Sequence, residues 1–208
     1  MRFFLFSVSV YLFFGCSSYY KNLSRTEVDH ECLERIKPRP VSKSWYHASV
    51  DVFGKHLSGL LLIKPMADHS HRVVFSNESG ITFFDFEFGS DGSFSVKRII
   101  EQLDRRPVIT TLKEDFELIL GKPFLQPLTS WKHDNETYFG IENGRERIYF
   151  TTTDCKSLGR IEIGSRKKRK VSVSLVGDIS SAPEGIIITH FTFPMTINLN
   201  KFENHVEE

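Results

Sequence analysis

From residue 44 onward, short segments of alternating apolar and polar residues are separated by turns rich in Gly, Asn, Asp and Ser. A period of two is typical of β-strands that bury one face. In SWYHASVDVFG, for example, Tyr46, Ala48, Val50 and Val52 fall on one face. The chain is therefore expected to form about ten strands, joined mostly by hairpins. The other such segments are HLSGLLLIK, HRVVFS, GITFFDFEF, SFSVKRI, TYFGIEN, RIYFTTT, GRIEIG, KVSVSLVG, GIIITHFTF and MTINLNKF.

One long segment between the strands has a different period. RPVITTLKEDFELILG, residues 106–121, has Pro107 near its start and Gly121 just past its last apolar residue, which are the positions these residues favour at helix ends. Its apolar residues form one stripe, so we predict an amphipathic helix. A second, shorter helix is predicted within residues 26–36, with Thr26 as its N-cap. The stripe of the long helix consists of Val108, Leu112, Phe116, Ile119 and Leu120.

Many antiparallel strands with one inserted helix indicate an α+β protein. We expect a large curved antiparallel sheet, an unclosed β-barrel of about ten strands, with the helix packed on its concave face. A helix that lies in an incompletely closed barrel leaves an apolar cavity beside it. The same alternation also fits a core that side chains fill completely. The predicted cavity lining is Leu60, Leu62, Val74, Phe84, Phe86, Phe116 and Ile119.

The N-terminal segment is the most hydrophobic part of the chain. Arg2 is followed by apolar or small residues throughout 3–14, a run shorter than the about 20 residues that a transmembrane helix needs. This pattern is typical of a secretory signal. The following Gly15 and Cys16 resemble the lipobox of bacterial lipoproteins, which implies cleavage before Cys16 and its acylation with fatty acids such as palmitate. Ordinary secretion with cleavage nearby and a buried N-terminal strand are the alternatives.

These observations predict three parts of the chain. Residues 1–15 form a lipoprotein signal peptide, residues 16–43 a lipidated tether with a short helix, and residues 44–208 the half-barrel domain. Acidic residues just after the cysteine direct some lipoproteins to the cell surface, and none occurs here before Glu27. The lipobox resemblance therefore implies a lipid-anchored protein of the outer membrane that faces the periplasm.

The order of these elements resembles the LolA/LolB lipoprotein-carrier superfamily over residues 44–200. The segments SGLLLIKP, RVVFSNESGITFFDFEF and RRPVITTLKEDFELIL are similar to LolB-like outer-membrane lipoproteins of the Bacteroidota type. The resemblance implies a cavity that receives acyl chains of lipids or lipoproteins, a periplasmic carrier protein as partner, and a role in transport or assembly at the outer membrane. LolB proteins expose a leucine on an early loop. The corresponding residues 76–80 lack it, which leaves Met66 as the nearest apolar loop residue for membrane contact.

The charges of the chain are balanced, with 27 Lys and Arg against 26 Asp and Glu. This balance argues against a dedicated nucleic-acid-binding protein, which would carry a basic surface. One dense basic cluster lies between two predicted strands. It either contacts anionic lipid headgroups or forms a solvated turn that discourages aggregation at the sheet edge. The cluster consists of Arg166, Lys167, Lys168, Arg169 and Lys170.

Enzymatic chemistry has little support in the sequence. Asp85 and Glu87 share one strand face about 6.5–7 Å apart, which would suit a hydrolase, but strand carboxylates on an outward face are usually only solvated. No nucleophile or nucleotide-binding motif is present, and we expect no cofactor and no metal. The main alternative to a carrier is therefore a structural or interaction lipoprotein of the cell envelope with a filled core.

The three cysteines are Cys16, Cys32 and Cys155. If Cys16 is acylated, one pair remains in a compartment where disulfides persist. The sequence leaves open whether Cys32 and Cys155 form a disulfide or remain free thiols.

Overall fold

A computed structural model describes residues 19–38, 42–52, 54–122, 128–143, 146–165, 167–177 and 182–202. Within these ranges the chain forms thirteen strands and two helices. The strands are β1 (Ser24–Thr26), β2 (Ser44–Val52), β3 (Lys55–Pro65), β4 (His71–Ser76), β5 (Thr82–Phe88), β6 (Phe94–Ile99), β7 (Thr129–His133), β8 (Glu136–Asn143), β9 (Glu146–Thr152), β10 (Arg160–Ser165), β11 (Arg169–Val176), β12 (Gly185–His190) and β13 (Met195–Lys201). The helices are α1 (His30–Ile36) and α2 (Arg106–Ile119).

All the described strands join one antiparallel sheet in the order β1-β7-β8-β9-β10-β11-β12-β13-β2-β3-β4-β5-β6. The sheet is unclosed, with β1 and β6 at its two edges. The expected number of about ten strands was too low, partly because β1 and β7 were not predicted. These two strands are three and five residues long, and neither is long enough to show a clear period.

The sheet curves around a shared core. Phe139 of β8, Ile161 of β10 and Phe86 of β5 belong to one buried apolar cluster, although these strands lie far apart in the strand order. A flat sheet could not bring them together, so the face that carries these residues must wrap around the interior. The same cluster includes buried residues of both helices. We call this the inner face of the sheet.

The long helix forms where the sequence pattern predicts it. Pro107 lies in its first turn, and Gly121, just past its end, adopts a φ of 68°, a conformation that favours glycine. The helix packs on the inner face, where the ring of Phe116 lies 5.7 Å from that of Phe84. It also contacts a strand that follows it in the sequence, because Asp115 Oδ2 lies 3.0 Å from His190 Nε2 of β12. No helix in the described ranges is long and apolar enough to cross a bilayer.

The N-terminal segment is part of the domain from residue 19 onward, which corrects the expected tether over residues 16–43. Strand β1 pairs with β7, and Cys32 of α1 is bonded to Cys155 in the loop after β9. The N-cap of α1 is Asp29, whose side chain accepts a hydrogen bond from the Cys32 amide at 2.9 Å. Thr26, the expected cap, belongs instead to β1. Residues 1–15 and Cys16 lie outside the described residues.

Candidate functional site

An apolar pocket of about 260 Å³ lies between the first half of α2 and the inner face of the sheet. Its walls come from one end of the five neighbouring strands β13, β2, β3, β4 and β5, from the segment that leads into α2 and from the turn between β12 and β13. Twelve of the described residues line the pocket: Val50, Val52, Leu57, Phe75, Phe84, Leu103, Pro107, Val108, Thr111, Leu112, Phe193 and Met195.

The pocket lies at one rim of the sheet. Because antiparallel strands alternate in direction, the turns β2–β3, β4–β5, β10–β11 and β12–β13 all lie at the same ends of their strands. Val52 and Met195, which pair across β2 and β13, stand at these ends. Pro107 is exposed, and Val108 and Phe193 are only half-buried. The pocket is therefore open to solvent at this rim, which we call the pocket rim.

The chemistry of the pocket is that of a hydrocarbon site. Among the described lining residues, Thr111 alone has a polar side chain, and none of the twelve carries a charge. A ligand with polar or ionic groups along its length would lose water there without gaining partners, which costs free energy. A hydrocarbon ligand would instead be stabilised by leaving water.

Deeper along α2, aromatic side chains fill the interior. Phe84 stacks on Phe86 with ring centroids 4.5 Å apart, and Phe116 lies against Phe84. Phe86 and Phe88 both pack against Phe94 of β6. The described residues at this end of α2 are therefore a packed core, and the apolar pocket lies at the other end, near the pocket rim.

A buried polar pair ties α2 to the sheet beside the pocket. His190 Nε2 of β12 lies 3.0 Å from Asp115 Oδ2 of α2, and both side chains are almost completely buried. Burial raises the pKa of the Asp115 carboxyl above its ordinary value, while the contact with His190 acts in the opposite direction. The ring of His190 also packs on Phe193, with centroids 4.7 Å apart. The pair thus fixes a turn of the helix next to the pocket wall.

The seven residues predicted to line a cavity are distributed over three places. Phe84 lies in the pocket wall, whereas Phe116 and Ile119 of α2 and Phe86 of β5 are buried in the packed core. The structure places the remaining three, Leu60, Leu62 and Val74, on the opposite face of the sheet, where they are half-buried.

The error for these three residues has a simple cause. In β3 the apolar run from Leu60 to Ile63 has no polar residue that would fix the phase of the alternation. The pairing of Leu61 with Phe75, and of Phe75 with Phe84, fixes it instead. The inner face therefore carries Leu61 and Ile63. The prediction was displaced by one residue along the strand, which places each side chain on the wrong face of the sheet.

Most of the pocket residues were not predicted as lining residues. Val50 and Val52 had been assigned to one strand face, and Val108 and Leu112 to the helix stripe, but nothing in the sequence showed that these two faces meet. Phe193 was predicted at the end of the strand segment GIIITHFTF, but β12 ends at His190 and Phe193 lies in the turn that follows. Only the contact between α2, β2 and the β12–β13 turn brings these residues together.

The predicted membrane contacts lie at opposite rims. Met66 belongs to the β3–β4 turn, at the rim opposite the pocket rim, and is half-buried. Lys167 and Lys168 are exposed at the β10–β11 turn on the pocket rim, whereas Arg169 and Lys170 are half-buried in β11. Lys170 is engaged by Glu146 of β9. Arg166 lies outside the described residues.

The strand carboxylates considered for catalysis are held in a surface network of charges. Arg72 donates through Nε to Asp85 Oδ1 at 2.8 Å, and its Nη1 lies 3.6 Å from Glu87 Oε2. Lys97 Nζ lies 3.0 Å from Glu87 Oε1. Both carboxylates thus face away from the core, on the side of β5 opposite Phe84, and are neutralised by neighbouring cations.

One cluster of potential metal ligands occurs in the described ranges: Asp29, Cys32 and Cys155. The Asp29 carboxylate caps α1, and the two sulfur atoms are bonded to each other. A disulfide has no thiolate to offer a metal, so these residues act as a cross-link and a helix cap.

No model of a protein family matches the chain, and no curated protein matches it either. Similar solved structures include a LolA superfamily protein from Nitrosomonas europaea, with 8% identity and a TM-score of 0.48 over 84% of this chain and 89% of that chain. A DUF1329 family protein from Desulfovibrio piger has 8% identity and a TM-score of 0.40 over 86% and 92% of the two chains. An outer membrane lipoprotein-sorting protein domain from Vibrio parahaemolyticus has 7% identity and a TM-score of 0.43 over 86% and 92%. The LolA superfamily, which the sequence pattern resembles, is thus represented among these structures, but similarity at this level assigns no activity to the chain.

Proposed function

We propose that this chain is a membrane-anchored lipoprotein that binds acyl chains of lipids or lipoproteins in the pocket between α2 and the sheet. The observation that carries the proposal is the pocket itself: an apolar space with no charged residue among its described lining residues, which opens at the edge of the core. A sequence that only had to fold would gain stability by filling this space, since unfilled apolar volume destabilises a protein.

The size of the pocket suits part of an acyl chain. Apolar cavities of about 150 Å³ accept benzene, a ligand of six carbons, and on that scale a pocket of about 260 Å³ accommodates about ten carbons. Burial of a methylene contributes about 0.8 kcal/mol, so ten carbons supply a gross stabilisation of about 8 kcal/mol. Loss of ligand freedom offsets a large part of this value, so any binding is expected to be weak and reversible.

The N-terminus and the disulfide both support a site of action outside the cytosol. Acylation of Cys16 would anchor the protein to a bilayer, and the Cys32–Cys155 bond suits an exported protein rather than one in a reducing cytosol. We place the protein on the periplasmic side of the outer membrane, where it would take part in lipid or lipoprotein transport or assembly. A periplasmic carrier protein is the partner expected to deliver the acyl chain.

The test uses a soluble form that begins at residue 17 and an uncharged fluorescent acyl probe. Thr111 lies on α2 in the pocket wall, whereas its neighbour Thr110 is exposed and lies outside the wall. We expect Thr111→Asp to weaken probe binding by at least about tenfold, because a bound acyl chain would displace the water that solvates the new carboxylate and would offer it no polar partner. Thr110→Asp is the matched control and should bind the probe like the parent protein.

Unfolding curves of both variants show whether the loss of binding reflects a loss of folding. If the parent protein does not bind the probe, or if both variants bind equally well, the carrier function is refuted. The chain would then be a structural or interaction lipoprotein of the envelope.

A further inference from the structure

The N-terminal residues of the described chain are clamped to the sheet near the basic turn. Tyr20 is 6% exposed, and its hydroxyl donates to the buried Glu162 of β10 at 3.0 Å. The backbone amide of Tyr19 donates to the carbonyl oxygen of Lys167 at 3.3 Å, and Arg169 Nη1 donates to the Tyr19 hydroxyl at 2.9 Å. The chain is therefore fixed to the domain at residue 19, directly beside the β10–β11 turn.

This clamp leaves very little chain between the domain and the proposed lipid anchor. Cys16 precedes Tyr19 by only three residues, and three extended residues span at most about 10 Å. A domain held this closely to a bilayer cannot rotate freely above it. Only the surface around Tyr19 can lie against the headgroups.

We propose that the domain sits on the bilayer through an aromatic–basic patch made of Tyr19, Lys167, Lys168, Arg169 and Phe191, with its pocket rim turned toward the membrane. This inference rests on the lipid anchor of the proposed function and adds to it the orientation of the domain. The ligand of the patch is the anionic surface of a phospholipid bilayer.

The chemistry of the patch suits a membrane interface. The guanidinium group of Arg169 lies between two rings, 4.5 Å from the centroid of Tyr19 and 4.2 Å from that of Phe191. Both rings are about half exposed, at 48% and 47%, although aromatic side chains gain most from leaving water. Lys167 and Lys168 are exposed beside them. Aromatic rings that are flanked by basic side chains are favoured at the headgroup level of bilayers.

The patch and the pocket share one rim. The short turn between β12 and β13 connects them, because Phe191 at its start belongs to the patch and Phe193 lines the pocket. The turn also contacts β11 directly, since the Phe191 amide donates to the Lys170 carbonyl oxygen at 2.8 Å. In the proposed orientation, an acyl chain would pass between the pocket and the bilayer along this rim, without crossing bulk water.

The experiment uses the full lipidated protein in vesicles of phosphatidylethanolamine and phosphatidylglycerol. Single cysteines for a spin label are introduced by Thr192→Cys at the pocket rim and by Ser90→Cys in the β5–β6 turn at the opposite rim; both positions are exposed. We expect the label at position 192 to be accessible to oxygen dissolved in the bilayer and protected from a water-soluble nickel chelate. The label at position 90 should show the reverse.

A charge test shows whether the patch causes this orientation. Near an anionic surface each lysine contributes about 1 kcal/mol, so Lys167→Gln with Lys168→Gln should lower the membrane-contacting population relative to the detached one about 30-fold. The matched control is Lys43→Gln with Lys64→Gln, which removes two exposed lysines at the opposite rim and should leave the label at position 192 unchanged.

The outcomes separate the orientation from the function. If the protein floats with the vesicles but both labels are equally exposed to water, the anchor stands and the orientation is wrong. If both lysine pairs have the same effect, the patch is not the contact surface. Failure of the protein to float with vesicles would refute the lipid anchor and this inference together. Acyl-probe binding by the soluble form is unaffected by any of these results.

Discussion

Reduction of the Cys32–Cys155 disulfide should destabilise the protein strongly. The bond joins residues 123 positions apart, and loop-closure entropy for a loop of this length corresponds to about 5 kcal/mol at 25 °C. Reduction removes no heavy atom, so it leaves no cavity beside the fully buried Cys32, and loss of the cross-link is the main change. For a domain of this size, the loss corresponds to a fall in melting temperature of about 10–20 °C.

The assay is urea unfolding of the soluble form with and without reductant, followed by the fluorescence of Trp45 and Trp131. The double variant Cys32→Ala with Cys155→Ala serves as a control and should not respond to reductant. A change below about 1 kcal/mol would refute the entropic reasoning. It would mean that the unfolded chain is not restricted by the bond, or that the segment carrying Cys32 detaches before the rest of the domain unfolds.

Two further predictions concern buried polar groups. Because burial raises the pKa of Asp115, the folded protein holds this proton more tightly than the unfolded chain does. The contribution of Asp115 to stability is thus largest at acidic pH and falls as the pH rises from its ordinary pKa to its raised pKa. Asp115→Asn keeps a hydrogen-bond partner for His190 but removes this dependence of stability on pH. As the pH rises from acidic to neutral, the unfolding free energy of the variant should therefore increase relative to that of the parent. A difference that does not change with pH would contradict a raised pKa for Asp115 in the folded protein. Tyr20→Phe leaves Glu162 without its phenol donor, and loss of a hydrogen bond to a charged group should cost about 1.5–3 kcal/mol in urea unfolding. Tyr19→Phe at the exposed neighbouring position should lower the unfolding free energy by less than about 0.5 kcal/mol. Equal losses for the two variants would contradict a stabilising hydrogen bond between Tyr20 and the buried Glu162.

The elements of the fold were largely predictable because their signals are local. The period of two in β2 and in β5, and the helix stripe between Pro107 and Gly121, survive in the structure with nearly the expected bounds. Local patterns fail where the signal is absent. The run Leu60–Ile63 is apolar at every position, so only pairing with β4 decides which residues face inward.

The N-terminal segment was beyond prediction for a different reason. Strand β1 has three residues and exists because β7 offers it an edge. Tyr20 is buried because Gly164 of β10 leaves room for its ring: a Cβ at that glycine would lie 2.6 Å from the ring. Neither fact is visible near residue 20 itself. The boundary expected at residue 44 therefore followed the composition of the chain rather than its contacts.

The size of the side chains that face each other across the interior determines where the pocket forms. Val50 and Val52 of β2 and Val108 and Thr111 of α2 all border the same space, and all four are β-branched side chains of modest size. One to two turns further along the helix, the facing positions are aromatic, and the interior is packed. The difference in side-chain size along α2 therefore leaves room for an apolar pocket at the rim beside the clamped N-terminus. Larger apolar side chains at these four positions would show the same period and polarity in the sequence but would fill the space. The pocket can therefore be recognised only when the positions of the helix and the strand relative to each other are known.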